Sequence, residues 1–245
     1  MKSTRGVAFV VGVLFILTFI TSIAGAFAYG PVLSDSHYVT STGADTGVLL
    51  GAFLEMLLII TNIGCAVVLF PLLKRQNEAL ALGYVAARLV ECTFILVGIL
   101  SLLAVATLRK GAAGTEAPTL VTVGKALVAI RKWAYLLGPG FVDGLGTGLI
   151  LGWLMYRSGL VSRRMALFGV IGGPLLAASG AAVLFGLIPQ SSPVQTVATV
   201  PEVVWEGFLG LWLTFKGFNR VALGVGETPD VRPDASSPVD AVVAA

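Results

Sequence analysis

Residues 79–108 read ALALGYVAARLVECTFILVGILSLLAVATL, an apolar stretch with only two charged side chains, Arg88 and Glu91. A helix rises about 1.5 Å per residue, so this stretch is long enough to cross a hydrocarbon core about 30 Å thick. Five further apolar stretches share this character, at residues 6–29, 48–73, 133–156, 165–188 and 200–218. The repetition predicts an all-α integral membrane bundle of six transmembrane helices.

The composition supports a membrane protein over a water-soluble one. Of 245 residues, 56% are hydrophobic and 12% are charged, against about 25% charged in soluble domains. A soluble chain of this size could not bury so much apolar surface in one core. We therefore expect the lipid bilayer as the partner, and no nucleic acid. The oligomeric state stays open.

Two of the helix starts need interpretation. Lys2 and Arg5 precede the first stretch, and Ala26-Phe-Ala28 resembles a signal-peptidase site. That stretch is longer than the roughly 7–15 residues of a signal-peptide core, which favours a retained first helix. Before the last stretch, Thr199-Val-Pro-Glu202 has the spacing of a capping box, which predicts a helix start there.

The distribution of Lys and Arg predicts the orientation. With the N-terminus inside, the cytoplasmic side collects Lys2, Arg5, Lys74, Arg75, Arg157, Arg163, Arg164, Lys216, Arg220 and Arg232. The outer side collects Arg109, Lys110, Lys125, Arg131 and Lys132. Because cytoplasmic loops carry the excess of positive charge, both termini are expected to be cytoplasmic.

The loop 109–132 and the C-terminal segment complete the predicted organisation. All five outer positive charges lie in this loop, where they alternate with apolar residues. This pattern predicts an amphipathic helix on the outer surface between helices 3 and 4, with a re-entrant segment as the alternative. Residues 1–220 form the predicted transmembrane domain. Residues 221–245, rich in Pro and acidic residues, are predicted to be a disordered cytoplasmic tail.

Five charged side chains lie inside the apolar stretches, and they are the candidate site. They are Glu55, Arg88, Glu91, Asp143 and Glu206, with Asn62, Thr147 and Trp205 as candidate neighbours. A charge at the bilayer centre costs roughly 2.5–3.5 kcal/mol, so such groups pair, take up protons or face water. Four acids cannot all pair with one base. The set predicts an intramembrane polar site for binding or proton transfer, and an interhelical network that only fixes packing is the alternative.

Small residues recur every fourth position in two neighbouring stretches. They are Gly140, Gly144, Gly148 and Gly152 in the fourth stretch, and Gly169 and Gly173 in the fifth. This spacing predicts close packing of the two helices. Above Asp143, Gly138-Pro139-Gly140 leaves two interpretations open. One is an ordinary kink near a helix end, and the other is a broken helix that lines a cavity.

The chain lacks the usual enzyme and metal signatures. His37 is the one histidine, and Cys65 and Cys92 are at different predicted depths, too far apart for a disulfide. We therefore expect no zinc, haem or iron–sulfur site, no metal and no cofactor. Neither a Gly-x-Ser-x-Gly nor a P-loop motif occurs, and Asp143 is the one aspartate in the stretches, which argues against an enzyme.

Three segments resemble a bacterial membrane family. They are Leu80-Ala-Leu-Gly83-Tyr84 continuing to Ala87-Arg88-Leu-Val-Glu91, then Tyr156-Arg-Ser-Gly159-Leu-Val, and Trp205-Glu206 through Leu211-Trp212-Leu to Lys216-Gly217-Phe218. They are similar to the domain-of-unknown-function 4386 family over roughly residues 5–220. Members usually have a proline before the arginine that follows the fourth helix, where this chain has Ser162.

The resemblance implies a six-helix bacterial inner-membrane protein and no particular activity. Two hypotheses of function therefore remain. The first is a multi-pass membrane protein whose polar site binds or carries a small molecule or ion. The second is an accessory or structural membrane protein that acts through partner contacts, its charges serving helix packing only.

Overall fold

The computed structural model describes residues 4–111, 117–190, 192–219 and 222, and these residues form an all-helical bundle. We number its long helices α1 to α6. Their bounds are α1 Thr4–Ala28, α2 Thr46–Leu73, α3 Glu78–Lys110, α4 Ala117–Ser158, α5 Arg163–Leu184 and α6 Pro193–Phe215. Two short helices, Gly30–Ser34 and Tyr38–Thr40, connect α1 to α2.

Each helix packs against its neighbours in the chain, and α6 returns to pack against α1. The six helices therefore form a closed ring around a common interior. Most of the largest buried apolar side chains, among them Phe15, Leu69 and Leu213, form one core cluster with Trp205. Bulky apolar side chains such as Phe53 and Ile171 are exposed on the outside of the ring, as expected for a lipid-facing surface.

Five helices, α1 to α5, are long and apolar enough to cross a membrane. The predicted all-α membrane fold is therefore supported, whereas the count of six spans is not confirmed. Helix α6 is not among the five, and Pro201, Glu202 and Glu206 interrupt its apolar sequence. The predicted tail, residues 221–245, lies outside the described residues apart from Ala222.

Helix α6 begins earlier than the sequence analysis predicted. The Ser192 hydroxyl accepts a hydrogen bond from the Gln195 amide at 3.2 Å, and Pro193 occupies the first turn. Serine at the N-cap followed by proline is a strong start signal, because the side chain satisfies a free amide and proline has none to satisfy. The prediction that Thr199 caps this helix is therefore wrong, and Glu202 lies well inside it.

The predicted amphipathic surface helix is not a separate element of the structure. Residues 117–137 are helical, but they run without a break into the rest of α4, which ends at Ser158. Leu120, Gly124 and Arg131 from this part are buried against the bundle. Lys and Arg alternate with apolar residues here because one face of this part of α4 packs against the bundle. The same pattern is therefore compatible with a long helix as well as with a surface helix.

Candidate functional site

The guanidinium of Arg88 lies at the centre of the bundle and contacts three carboxyl groups. Its Nη1 donates to Glu91 Oε2 at 2.6 Å and to Asp143 Oδ1 at 2.8 Å, and its Nη2 donates to Glu206 Oε1 at 3.1 Å. These residues come from α3, α4 and α6. The structure thus brings four of the five predicted charges together, and we name this group the Arg88 cluster.

Helix spacing and a polar network position the α3 half of the cluster. Arg88 and Glu91 are three residues apart, so both point from the same face of the helix. The Asn62 amide of α2 donates to Glu91 Oε1 at 3.2 Å. Thr18 of α1 in turn donates to Asn62 Oδ1 at 3.3 Å and contacts the Thr61 hydroxyl at 3.0 Å. The network therefore joins the cluster to α1 and α2 as well.

Asp143 lies in a distorted part of α4. Residues Gly138–Val142 and Gly144–Leu151 form π-helix, and Asp143 stands between the two segments. Pro139 explains where the distortion begins, because proline lacks the amide that an α-helix needs at this point. Since α4 begins at Ala117, this proline is in mid-helix, so the interpretation as a kink near a helix end is wrong. Wide helical turns of this kind often occur at functional sites.

The distortion also leaves a hydroxyl without its usual partner. Thr93 and Thr107 of α3 donate to the carbonyls four residues earlier, at 2.9 Å in each case. The Thr147 hydroxyl is fully buried and has no hydrogen-bond partner in the described part of the chain. The Thr147 carbonyl instead accepts the indole N–H of Trp205 at 3.0 Å, which links α4 to α6.

Glu202 is a fifth member of the Arg88 cluster, and the sequence analysis missed it. Its carboxyl oxygen lies within 4.8 Å of carboxyl oxygens of Asp143 and Glu206. Glu202 is 2% exposed, and neither of its carboxyl oxygens has a hydrogen-bond partner among the described residues. The sequence did carry a signal, because Glu202 and Glu206 are four apart and therefore share one face of α6.

The acids of the Arg88 cluster outnumber its bases. Glu91, Asp143, Glu202 and Glu206 provide four carboxyl groups against the single guanidinium of Arg88. If all were ionised, three negative charges inside a low-dielectric bundle would lack a compensating base among the residues that the structure describes. Burying unpaired charge is so unfavourable that such groups bind a proton or a counter-ion instead. The arrangement can therefore hold protons or cations.

Glu55 belongs to a second buried site. It does not contact Arg88; its Oε1 accepts a hydrogen bond from Arg131 Nη2 of α4. The Arg131 guanidinium lies 5.2 Å from the ring centroid of Tyr29 and 4.9 Å from that of Tyr135. Gly98 of α3 makes room for it, since a Cβ there would lie 2.7 Å from Arg131 Nη1. Among the described residues this site is balanced, with one acid and one base.

A third charged pair lies in the connection between α1 and α2. Arg109 Nη1 contacts Asp45 Oδ1 at 2.8 Å, its Nε donates to the Ser41 carbonyl at 2.9 Å, and its guanidinium lies 4.6 Å from the Tyr38 ring centroid. Burial raises the pKa of Tyr38, and the nearby Arg109 opposes that rise. Arg109 therefore fastens the connection to the end of α3.

Comparison with known proteins assigns a family. The model of the domain of unknown function DUF4386 matches residues 10–217, most of the chain. The chain belongs to the DUF4386 family. No curated protein and no solved structure matches it. The resemblance seen in the sequence is thus confirmed. The family description states no activity, so any function has to be argued from the site.

The glycines of this DUF4386 chain bring α4 and α5 close together. A Cβ on Gly144 would lie 2.6 Å from the Gly173 carbonyl oxygen, and one on Gly152 would lie 3.1 Å from the Gly169 carbonyl carbon. A Cβ added to Gly148 would lie 2.5 Å from Glu202 Oε2. Gly140 is an exception, because its nearest neighbour would be 3.5 Å away. The predicted glycine contact is present at the other positions, and at Gly148 it also makes room for an acid of the site.

Proposed function

We propose that this DUF4386 protein is a multi-pass inner-membrane protein whose Arg88 cluster binds or carries a small molecule or ion. In this proposal α6 crosses the membrane as a sixth span, and both termini are cytoplasmic. The observation that carries the proposal is the excess of acid at the bundle centre. Three carboxyl groups contact one guanidinium and a fourth, that of Glu202, lies beside them, an arrangement that can take up or release a proton or a cation.

The exposure of the side chains supports a route to the cluster. The side chain of Glu206 is 14% exposed and that of Asp143 is 9% exposed, whereas that of Arg88 is 2% exposed. The side chains of Glu206 and Asp143 are therefore more accessible from the surface than the guanidinium is. A ligand that approaches past Glu206 would meet carboxyl oxygens first, which favours a cation or a group bearing hydrogen-bond donors.

The alternative function is structural, and one observation favours it. Arg88 contacts carboxyl groups on α3, α4 and α6, so it could serve only to hold these helices together. In that case the protein would act through partner contacts on its surface. Four acids are more than such a clamp requires, since the balanced Glu55–Arg131 pair joins two helices with one acid and one base.

Ligand-dependent stability tests the proposal. Cys65 and Cys92 are buried free thiols, so a thiol-reactive fluorophore reports unfolding of the purified protein in detergent. Salts, organic cations, amino acids and other small solutes would be screened at several pH values. A ligand at 100 times its Kd stabilises the protein by about 2.7 kcal/mol. We expect at least one solute to raise the melting temperature saturably.

Two variants make the screen specific. Glu206→Gln removes the most exposed acid of the cluster and should weaken the response. Glu78→Gln removes an exposed acid at the start of α3 and should leave the response unchanged. If a folded protein responds to no solute at any pH, the structural alternative is favoured.

Topology requires a separate measurement. Reporter fusions that are active on only one side of the membrane would be placed after residue 245 and at the α2–α3 connection near Arg75. Both positions are expected to report the cytoplasm, in line with the excess of Lys and Arg there. Opposite results at the two positions would contradict a sixth span.

A further inference from the structure

We infer that Asp143, Glu202 and Glu206 form a binding site for a hard, calcium-sized cation, either Ca²⁺ or Na⁺. This inference rests on the proposed function, and it names the class of ligand. It departs from the expectation of no metal, which was based on histidine and cysteine. Those are ligands of zinc and of iron–sulfur clusters, whereas hard cations take carboxylate oxygens.

The spacing of the oxygens fits such an ion. One carboxyl oxygen from each of the three residues lies within 4.8 Å of the other two. A common point therefore exists that is at most about 2.8 Å from each of the three oxygens. This distance is the largest separation of the oxygens divided by the square root of three. Ca²⁺ binds oxygens at about 2.3–2.6 Å, whereas Mg²⁺ requires about 2.0–2.1 Å and strict octahedral geometry. From this upper limit Ca²⁺ needs only small side-chain movements, whereas Mg²⁺ needs the carboxyl groups of α4 and α6 to move further toward each other.

Glu202 provides the independent sign of a ligand. Both of its carboxyl oxygens are buried and lack a hydrogen-bond partner among the residues described. Buried polar groups are almost always hydrogen-bonded, so an unpartnered carboxyl that lies beside two other acids needs an explanation. The backbone makes space for it, since a Cβ on Gly148 would lie 2.5 Å from Glu202 Oε2. A bound cation would satisfy this carboxyl.

Charge compensation points the same way. Arg88 hydrogen-bonds with Glu91, Asp143 and Glu206, and it makes no hydrogen bond to Glu202. The three uncompensated charges would fall to one with Ca²⁺ and to two with Na⁺. Low surrounding dielectric favours the smaller residual charge. Ca²⁺ is therefore expected to bind more tightly than Na⁺, or Na⁺ to bind together with a proton.

The test measures cation binding by the full chain. Protein purified in detergent would be freed of divalent ions with a chelator and titrated separately with Ca²⁺, Na⁺, Mg²⁺ and choline at fixed ionic strength. Melting would be followed with the thiol probe, and Ca²⁺ stoichiometry by calorimetry. We expect saturable stabilisation by Ca²⁺ or Na⁺ with one ion per chain, and at least tenfold weaker binding of Mg²⁺.

Variants of the site assign the ion to these carboxyls. Glu202→Gln keeps the side-chain shape and should lower the cation affinity at least tenfold, whereas Glu78→Gln should not change it. If Glu202→Gln does not fold, Glu206→Gln provides the same comparison at a more exposed position. Unchanged affinity in a folded site variant would overturn the inference.

The outcomes separate this inference from the proposed function. A response to pH alone, with no specific cation effect, would mean that the acids bind protons and would overturn the cation site. Stabilisation only by another solute of the screen would also overturn it, while the proposed function would stand. No response to any ion, solute or pH in the folded protein would overturn both.

Discussion

Replacement of Arg88 by alanine is the most direct test of how the bundle accommodates its acids. The variant removes the guanidinium that contacts Glu91, Asp143 and Glu206, at 2.6, 2.8 and 3.1 Å. Removal of one partner from a buried ion pair costs about 3–5 kcal/mol, because the other charge stays buried without compensation. We expect the free energy of unfolding to fall by this amount at pH 7.

The free energy of protonating a carboxyl group gives a similar loss of stability and also predicts how that loss depends on pH. A Glu carboxyl with a pKa of about 4.3 in water requires about 3.7 kcal/mol to take up a proton at pH 7, at 1.36 kcal/mol per unit. If Arg88→Ala folds by protonating one extra acid, its folded state binds one more proton than its unfolded state. Its stability must then decrease as pH rises. Between pH 7 and pH 5.5 the deficit relative to the parent should shrink by about 2 kcal/mol.

The chain supplies both the assay and the control. Cys65 is 1% exposed and Cys92 is 5% exposed, so thiol labelling during titration with a denaturing detergent follows unfolding. Arg75→Ala removes an exposed arginine from the α2–α3 connection and should change the free energy by less than about 0.5 kcal/mol. Arg88→Lys keeps the positive charge but lacks the planar guanidinium, so its stability should lie between those of Arg88→Ala and Arg75→Ala. If Arg88→Ala is as stable as Arg75→Ala, the reasoning is refuted.

Three further predictions use the same unfolding assay. Glu55→Gln and Arg131→Met should each lower the free energy of unfolding by about 3–5 kcal/mol. The double variant should lose clearly less than the sum of these two losses, because neither charge is then left buried alone. Additive losses would mean that the pair is not coupled. Gly148→Ala should lower the free energy of unfolding by about 1–3 kcal/mol, because the added methyl group overpacks the contact. Gly83→Ala is the control and should not destabilise the protein, because the nearest neighbour of its added methyl group would be 3.6 Å away. An equal effect of both alanines would contradict close packing at Gly148. Trp205→Phe keeps an aromatic ring but loses the indole donor and part of a fully buried side chain. It should cost more than the about 0.5–1.5 kcal/mol of the hydrogen bond alone, because a cavity is left as well, and a smaller loss would mean that the hydrogen bond is absent.

The sequence was sufficient for features that depend on length and periodicity. Residues 79–108 are long and apolar enough to identify α3, and the three-residue spacing places Arg88 and Glu91 on one face. The glycines that recur every fourth position predicted the contact of α4 with α5. In each case the property depends on a single helix or on one pair of adjacent helices, so no knowledge of the whole bundle is needed.

The partner of Glu55 shows what the sequence could not provide. The sequence analysis places Arg131 in the outer loop 109–132, because the fourth apolar stretch starts only at residue 133. In the structure α4 begins at Ala117, and Arg131 is buried on a face that meets Glu55 of α2. Pairing between distant helices depends on their rotation about their own axes, and side-chain spacing along one helix does not determine that rotation.

The position of Glu202 depended on one capping residue. With Thr199 as the cap, Glu202 would lie in the first turn, near water, where a carboxylate is favourable. With α6 starting at Pro193, Glu202 lies nine residues in, about 13 Å along the helix. The carboxyl of Glu202 then lies in the interior of the bundle. The sequence predicts Glu55 as the fourth acid near Arg88, whereas the structure has Glu202 there. Because Glu55 is neutralised by Arg131, the excess of four acids over one base does not disappear when the pairing is corrected. It is instead concentrated at a single place, and that concentration is the observation on which the proposed binding of a small molecule or ion depends.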